Sequence, residues 1–140
     1  MRKSLIAASL CLTASLAQAD TISCVLENNR VMTLGNLGSS PVYSYGPAVK
    51  IELTLPTGAA NSGVYKGSEM FSGGGSAYLA FTNGNYTYAA YTGIGRGWEF
   101  TGLKVYKGSE IIMERQCKDT DALLGLDPDR INAPEGELPY

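Results

Sequence analysis

Arg96 is the side chain whose neighbours best suit it to meet another molecule. It stands in Gly93-Ile94-Gly95-Arg96-Gly97, directly before Trp98, the only tryptophan among 140 residues. A planar guanidinium can grip a carboxylate or phosphate through two parallel N–H donors. The glycines suggest a phosphate-binding loop, but such loops need a helix start inside a βαβ unit to aim N–H groups at the anion. Here the flanks are strand-like. Arg96 is therefore read either as a solvated residue of a wide hairpin connection whose glycines permit unusual φ values, or as a guanidinium probe for a partner's anion. Trp98 is expected to pin the base of that connection from the core.

Few other residues offer chemistry. The chain has no histidine, which removes Ser-His-Asp and Cys-His catalysis and histidine metal ligation. Glu52, Glu69, Glu99, Glu110 and Glu114 could formally supply a two-carboxylate glycosidase. Glu110 and Glu114 are expected on one face of the last strand, where solvation accounts for them. Asp119, Asp121, Asp127 and Asp129 suggest calcium by composition only. Ala122, Leu123 and Leu124 stand where further ligands and a glycine would be needed. No catalytic residue, metal or cofactor is expected.

The elements that must position Arg96 are short strands. Residues 21–27, 30–34, 42–45, 48–55, 64–71, 98–106 and 111–117 are expected as strands, with no useful helical period among them. In 48–55, Val49, Ile51, Leu53 and Leu55 alternate with polar residues, which predicts one buried face. Asn28-Asn29 and Asn83-Gly84 are hairpin signals. A turn at Asn83-Gly84 places Phe81 near Tyr86 and Leu79 near Tyr88. Tyr86, Tyr88 and Ala90 then share one face, and Thr87, Ala89 and Tyr91 the other. Tyrosine on both faces predicts that one is only half buried, which makes Tyr88 and Tyr91 candidate contact residues. Val-Tyr-Lys-Gly-Ser-Glu occurs at 64–69 and again at 105–110, read as one tight-turn solution used twice.

The N-terminus predicts export. Arg2 and Lys3 precede an apolar stretch over 5–16, too short to span a bilayer, and Ala17-Gln18-Ala19 is a small-residue cleavage site. Residues 1–19 are thus expected as a signal peptide, 20–117 as an antiparallel β domain and 118–140 as an acidic tail. Cys11 follows Leu10, so lipidation is not expected. Charges balance in the body and the acidity lies in the tail, which argues against nucleic acid or an anionic membrane as partner.

Removing the leader leaves Cys24 and Cys117, most simply one disulfide in an oxidising compartment. A bond between the first and last strands suits a small antiparallel barrel or sandwich. Beyond Cys117, Asp121 could cap a short helical turn over 122–124 that Gly125 ends, and 132–140 is expected to fray.

The run from Asn83 to Trp98 resembles a family of small exported proteobacterial proteins sharing N-G-x-Y-x-Y…Y-x-G-x-G-R-G-W, followed by a strand that closes on a cysteine. That resemblance implies a fold and a compartment, and no function. A second resemblance is to the periplasmic and membrane-bound inhibitors of c-type lysozyme, which are small β-barrels. It rests on the order Cys24, Ser62-Gly63 with Tyr65, Lys107-Gly108 and Cys117. Ser62-Gly63-Val64-Tyr65 is one residue shorter than that family's loop and lacks its arginine. This resemblance implies that Ser62 and Lys107 are inhibitory contacts, with Arg96 as the alternative group to meet an acidic cleft.

The expected function is accordingly a periplasmic protein-binding module and not an enzyme. An inhibitor or immunity factor against a cell-wall hydrolase such as lysozyme is its specific form. A small-ligand carrier with a cavity inside the barrel, or a structural envelope component, are the alternatives. Ser62, Tyr88, Tyr91, Arg96 and Lys107 are the expected contact residues.

Overall fold

The computed structural model describes residues 20–140, so the expected signal peptide and Cys11 lie outside the described residues. Nine antiparallel strands form two sheets. The first holds β1 (Ile22–Val25), β2 (Arg30–Gly35), β3 (Val42–Pro47) and β4 (Leu53–Leu55) in sequence order. The second holds β5 (Val64–Phe71), β6 (Gly74–Asn83), β7 (Tyr86–Gly95), β8 (Trp98–Lys107) and β9 (Glu110–Gln116). The all-β expectation holds. A barrel does not form: β1 and β4 are short, and only the isolated bridge Leu26–Cys117 joins the sheets at their chain ends.

The Cys24–Cys117 disulfide is present, across a sequence separation of 93 residues, with Cα atoms 5.6 Å apart. Cys24 sits in β1 and Cys117 directly follows β9, so the bond ties one sheet to the other. It joins a core packed between the sheets. Met32, Leu34, Tyr43 and Leu55 from the first meet Leu79, Phe81, Ala90, Leu103 and Val105 from the second.

Several local expectations are corrected. The strand over 48–55 shrinks to Leu53–Leu55, and Val49 and Ile51 are exposed. The chain folds back tightly over Gly46, where an added Cβ would lie 2.3 Å from the Lys50 carbonyl oxygen. Backbone bonds Lys50 N–H to Pro47 O and Glu52 N–H to Tyr45 O close that turn. The β6–β7 turn is Gly84-Asn85, one residue later than the sequence signal, because Asn83 pairs with Tyr86. Gly84 has φ 60°, at the first central position where a II′-type hairpin needs glycine. Phe81 therefore faces Tyr88, and Leu79 faces Ala90.

The repeated hexapeptide has two conformations. Its second copy supplies the β8–β9 turn, whereas its first is continuous strand β5. Gly67 serves packing instead of turning: an added Cβ would lie 2.3 Å from the Tyr78 hydroxyl.

The tail does not fray. Leu123, Leu126 and Ile131 enter the main core. The segment then runs beside β5, where Lys66 N–H donates to Pro134 O and Gly136 N–H to Lys66 O. Lys66 Nζ donates to the Pro128 and Ile131 carbonyls at 2.5 and 2.8 Å. Leu138 is buried on the outer face of the second sheet among Tyr78, Tyr91 and Tyr106. The expected helix over 122–124 is a run of hydrogen-bonded turns, with Leu124 N–H donating to Asp121 O, and a separate 3-10 turn capped by Asp127 lies at Pro128–Arg130. Among the described residues, no helix is long and apolar enough to cross a membrane.

Candidate functional site

The middle strands of the second sheet each run ten residues, roughly 30 Å at strand rise. Their two ends differ. One carries the turns Gly84-Asn85 and Gly108-Ser109, joined by Gly108 N–H to Asn85 O at 2.8 Å. The other carries Ser72-Gly73 and Arg96-Gly97. The expected loop over 93–97 is thus strand as far as Gly95, followed by a two-residue turn with Gly97 at φ 75°.

Arg96 lies across the neighbouring turn. An added Cβ on Gly73 would sit 2.6 Å from Arg96 Cγ, and Arg96 Nη2 donates to Ser72 Oγ at 3.3 Å. Among the described residues Arg96 has no carboxylate within ion-pair distance. Around it both faces expose apolar side chains. On the inner face Met70, Ile94 and Leu124 are 90%, 55% and 79% exposed. With Ala77, Thr92, Thr101, Glu99 and Asp121 they line a depression of about 350 Å³. The first sheet stops short of this region and covers only the rows from Leu79 and Ala90 onward.

The outer face carries aromatic rings. Trp98 was expected in the core but is 43% exposed there. Its indole lies across two glycines: a Cβ on Gly95 would be 2.2 Å from Nε1, and one on Gly93 would be 3.1 Å from Cη2. Phe71 flanks it, with ring centroids 5.7 Å apart. Further along, Phe100 and Tyr91 meet edge to face at 6.0 Å, and Tyr91 stacks with Tyr78 at 6.5 Å. Lys104 Nζ sits 4.0 Å above the Tyr91 ring and 3.7 Å from Glu114. Burial pushes the Tyr106 phenol up to about 12, with Tyr91 and Glu114 adding to the shift. Tyr78 donates to Gly136 O at 2.7 Å, so the tail closes this face.

The expected contact residues do not assemble. Arg96 lies at one end of the sheet. Lys107 lies at the other, 6.0 Å from the Tyr86 ring centroid. Ser62 belongs to that same end, exposed in a turn beside Gly63, whose carbonyl accepts from Thr82 N–H at 2.8 Å. Tyr88 is half-buried against Tyr43 on the inner face, with centroids 5.6 Å apart. Tyr91 is covered on the outer face.

The carboxylates are dispersed too. Glu52 pairs with Arg30 at 3.5 Å and Glu69 accepts from the Tyr140 hydroxyl at 2.9 Å. Glu110 and Glu114 do not share a face, because a register shift after Val105 pairs them with Lys107 and Lys104. No cluster of three or more metal-binding side chains occurs among the described residues.

Sequence reading missed Met70, Phe71, Ile94 and Leu124 as surface residues. The usable signal was Gly93 and Gly95, which sit cross-strand from Phe100 and Trp98 and leave space above the backbone. Compared with known proteins, the chain matches no family model, no curated protein and no solved structure.

Proposed function

We propose that this protein is an exported binding module that holds a protein partner against the bare end of its long sheet. The observation that carries this is the depression at the strand end that leads into the Arg96 turn, where Met70, Ile94 and Leu124 are exposed beside Glu99 and Asp121. A contiguous apolar patch costs solubility and contributes nothing to the core, which is how contact surfaces differ from ordinary surface. Arg96 supplies the anchor: a guanidinium held by Ser72 and a glycine turn, free of any carboxylate among the described residues. Arginine is among the residue types enriched where binding energy concentrates in protein interfaces.

A cell-wall hydrolase of the lysozyme type is the partner class favoured by the order Cys24, Ser62-Gly63, Lys107-Gly108 and Cys117. Arg96 and the Ser62–Lys107 end lie too far apart to enter one narrow cleft together, and we assign the contact to Arg96. Titrating c-type lysozyme and other peptidoglycan hydrolases with the protein tests this reading. A complex with loss of hydrolase activity is expected, and Arg96→Ala should weaken it by about 1–3 kcal/mol. Absence of any complex with excess hydrolase contradicts the partner class. Weakening by Ser62→Ala and Lys107→Ala, with Arg96→Ala silent, moves the contact to the other end.

A further inference from the structure

The outer face at the bare end has a geometry that protein contact through the inner depression does not use. Phe71 pairs with Gly74 and Gly95 with Trp98, and the two glycines lie side by side, an added Cβ on Gly74 falling 3.1 Å from Gly95 Cα. The glycines on the two middle strands let the outer aromatics turn inward until their rings meet at 5.7 Å, with 32° between their planes. The indole rests on the Gly93 and Gly95 backbone, so one π-face is spent on the sheet and the other is presented outward. The result is a shallow platform two rings wide.

We infer that this platform binds a saccharide chain carrying a carboxylate, with pyranose rings stacked on Trp98 and Phe71 and the carboxylate on Arg96. A pyranose has a face of C–H groups, which carry partial positive charge, and a rim of hydroxyls. The C–H face complements the negative face of an aromatic ring. The hydroxyl rim needs polar groups beside the rings, and Ser72, next in the chain to Phe71, carries a hydroxyl that accepts from Arg96 Nη2. A branched aliphatic side chain would need depth, and the platform offers none. Charge selects among saccharides. Glu69, on the same face, is engaged by the Tyr140 hydroxyl, while Arg96 keeps donors uncommitted to any carboxylate among the described residues. A carboxylate accepting two parallel guanidinium N–H bonds is the strongest contact the edge can make.

Trp98 is the only tryptophan in the chain, so its emission reports on this site alone. The full chain would be titrated with an oligogalacturonate, which bears carboxylates, and with neutral chitin and cellulose oligosaccharides of equal length. A saturable emission change is expected with the oligogalacturonate, at an affinity about tenfold or more above the neutral oligosaccharides. Arg96→Ala should abolish that preference. Phe71→Ala should weaken binding about tenfold, the loss expected of one aromatic contact, with the melting temperature unchanged. Gly95→Ala places a methyl where the indole lies and should abolish binding even though Trp98 is retained. No saturable change, equal affinity for neutral and acidic chains, or undiminished binding by both Phe71→Ala and Arg96→Ala would each overturn the inference. The site shares Arg96 and the Ser72 hydroxyl that holds it with the proposed protein contact, but neither aromatic ring. Loss of hydrolase binding with the saccharide response intact, or the reverse, therefore identifies which reading has failed.

Discussion

The two ends of the five-stranded sheet are made from the same strands and the same kinds of residue, yet they differ in what covers them. At the anchored end Leu79, Phe81, Ala90 and Leu103 are fully buried under the four-stranded sheet. The tail, with Leu138 inserted, closes the opposite face there. At the free end Met70, Ile94 and Trp98 are open to solvent. Apolar residues at the anchored end are explained by the core they build. Those at the free end build no core, and the chain spends glycines at 73, 74, 93, 95 and 97 to arrange them. Stability resides at one end, and the proposed function places recognition at the other.

That division can be broken most forcefully at the disulfide. Replacing Cys24 and Cys117 by alanine removes the bond between the sheets and should cost about 4–5 kcal/mol for a loop of this length. Denaturant unfolding measures it, and a cost under about 1 kcal/mol would mean that the anchored end does not depend on the bond. Leu138→Ala comes next. It empties a buried site under the tyrosine face and should cost about 2–4 kcal/mol. A negligible cost would mean that the tail is only laid on the sheet. The smallest effect belongs to the free end, where Met70→Ser with Ile94→Ser should change stability by no more than about 0.5 kcal/mol.

The sequence carried the periodicity of the long strands, the cysteine pair and the glycine-flanked arginine, because each depends on local residue type. It did not carry register. Asn83-Gly84 is a strong turn signal, yet the turn forms at Gly84-Asn85, since that pairing buries Phe81 against Tyr43 and opposite Tyr88. The alternation of Val49 and Ile51 was overridden by the tight approach of the chain over Gly46. Charged, proline-containing residues 132–140 have the composition of a frayed tail. What holds them is the Lys66 backbone and the Tyr78 hydroxyl, more than fifty residues away in sequence. Arg96 was legible as a residue of a glycine-flanked hairpin connection, but the aromatic pair beyond it was not: the placement of Trp98 depends on glycines that face it only after β7 and β8 pair.

The division of labour is tested most directly by measuring unfolding free energy and hydrolase affinity together on the Met70→Ser, Ile94→Ser variant. The account predicts stability within about 0.5 kcal/mol of the parent, with affinity reduced about tenfold or more. A loss of about 2 kcal/mol in stability with affinity unchanged would show that these residues support the fold and that the free end is not the contact surface.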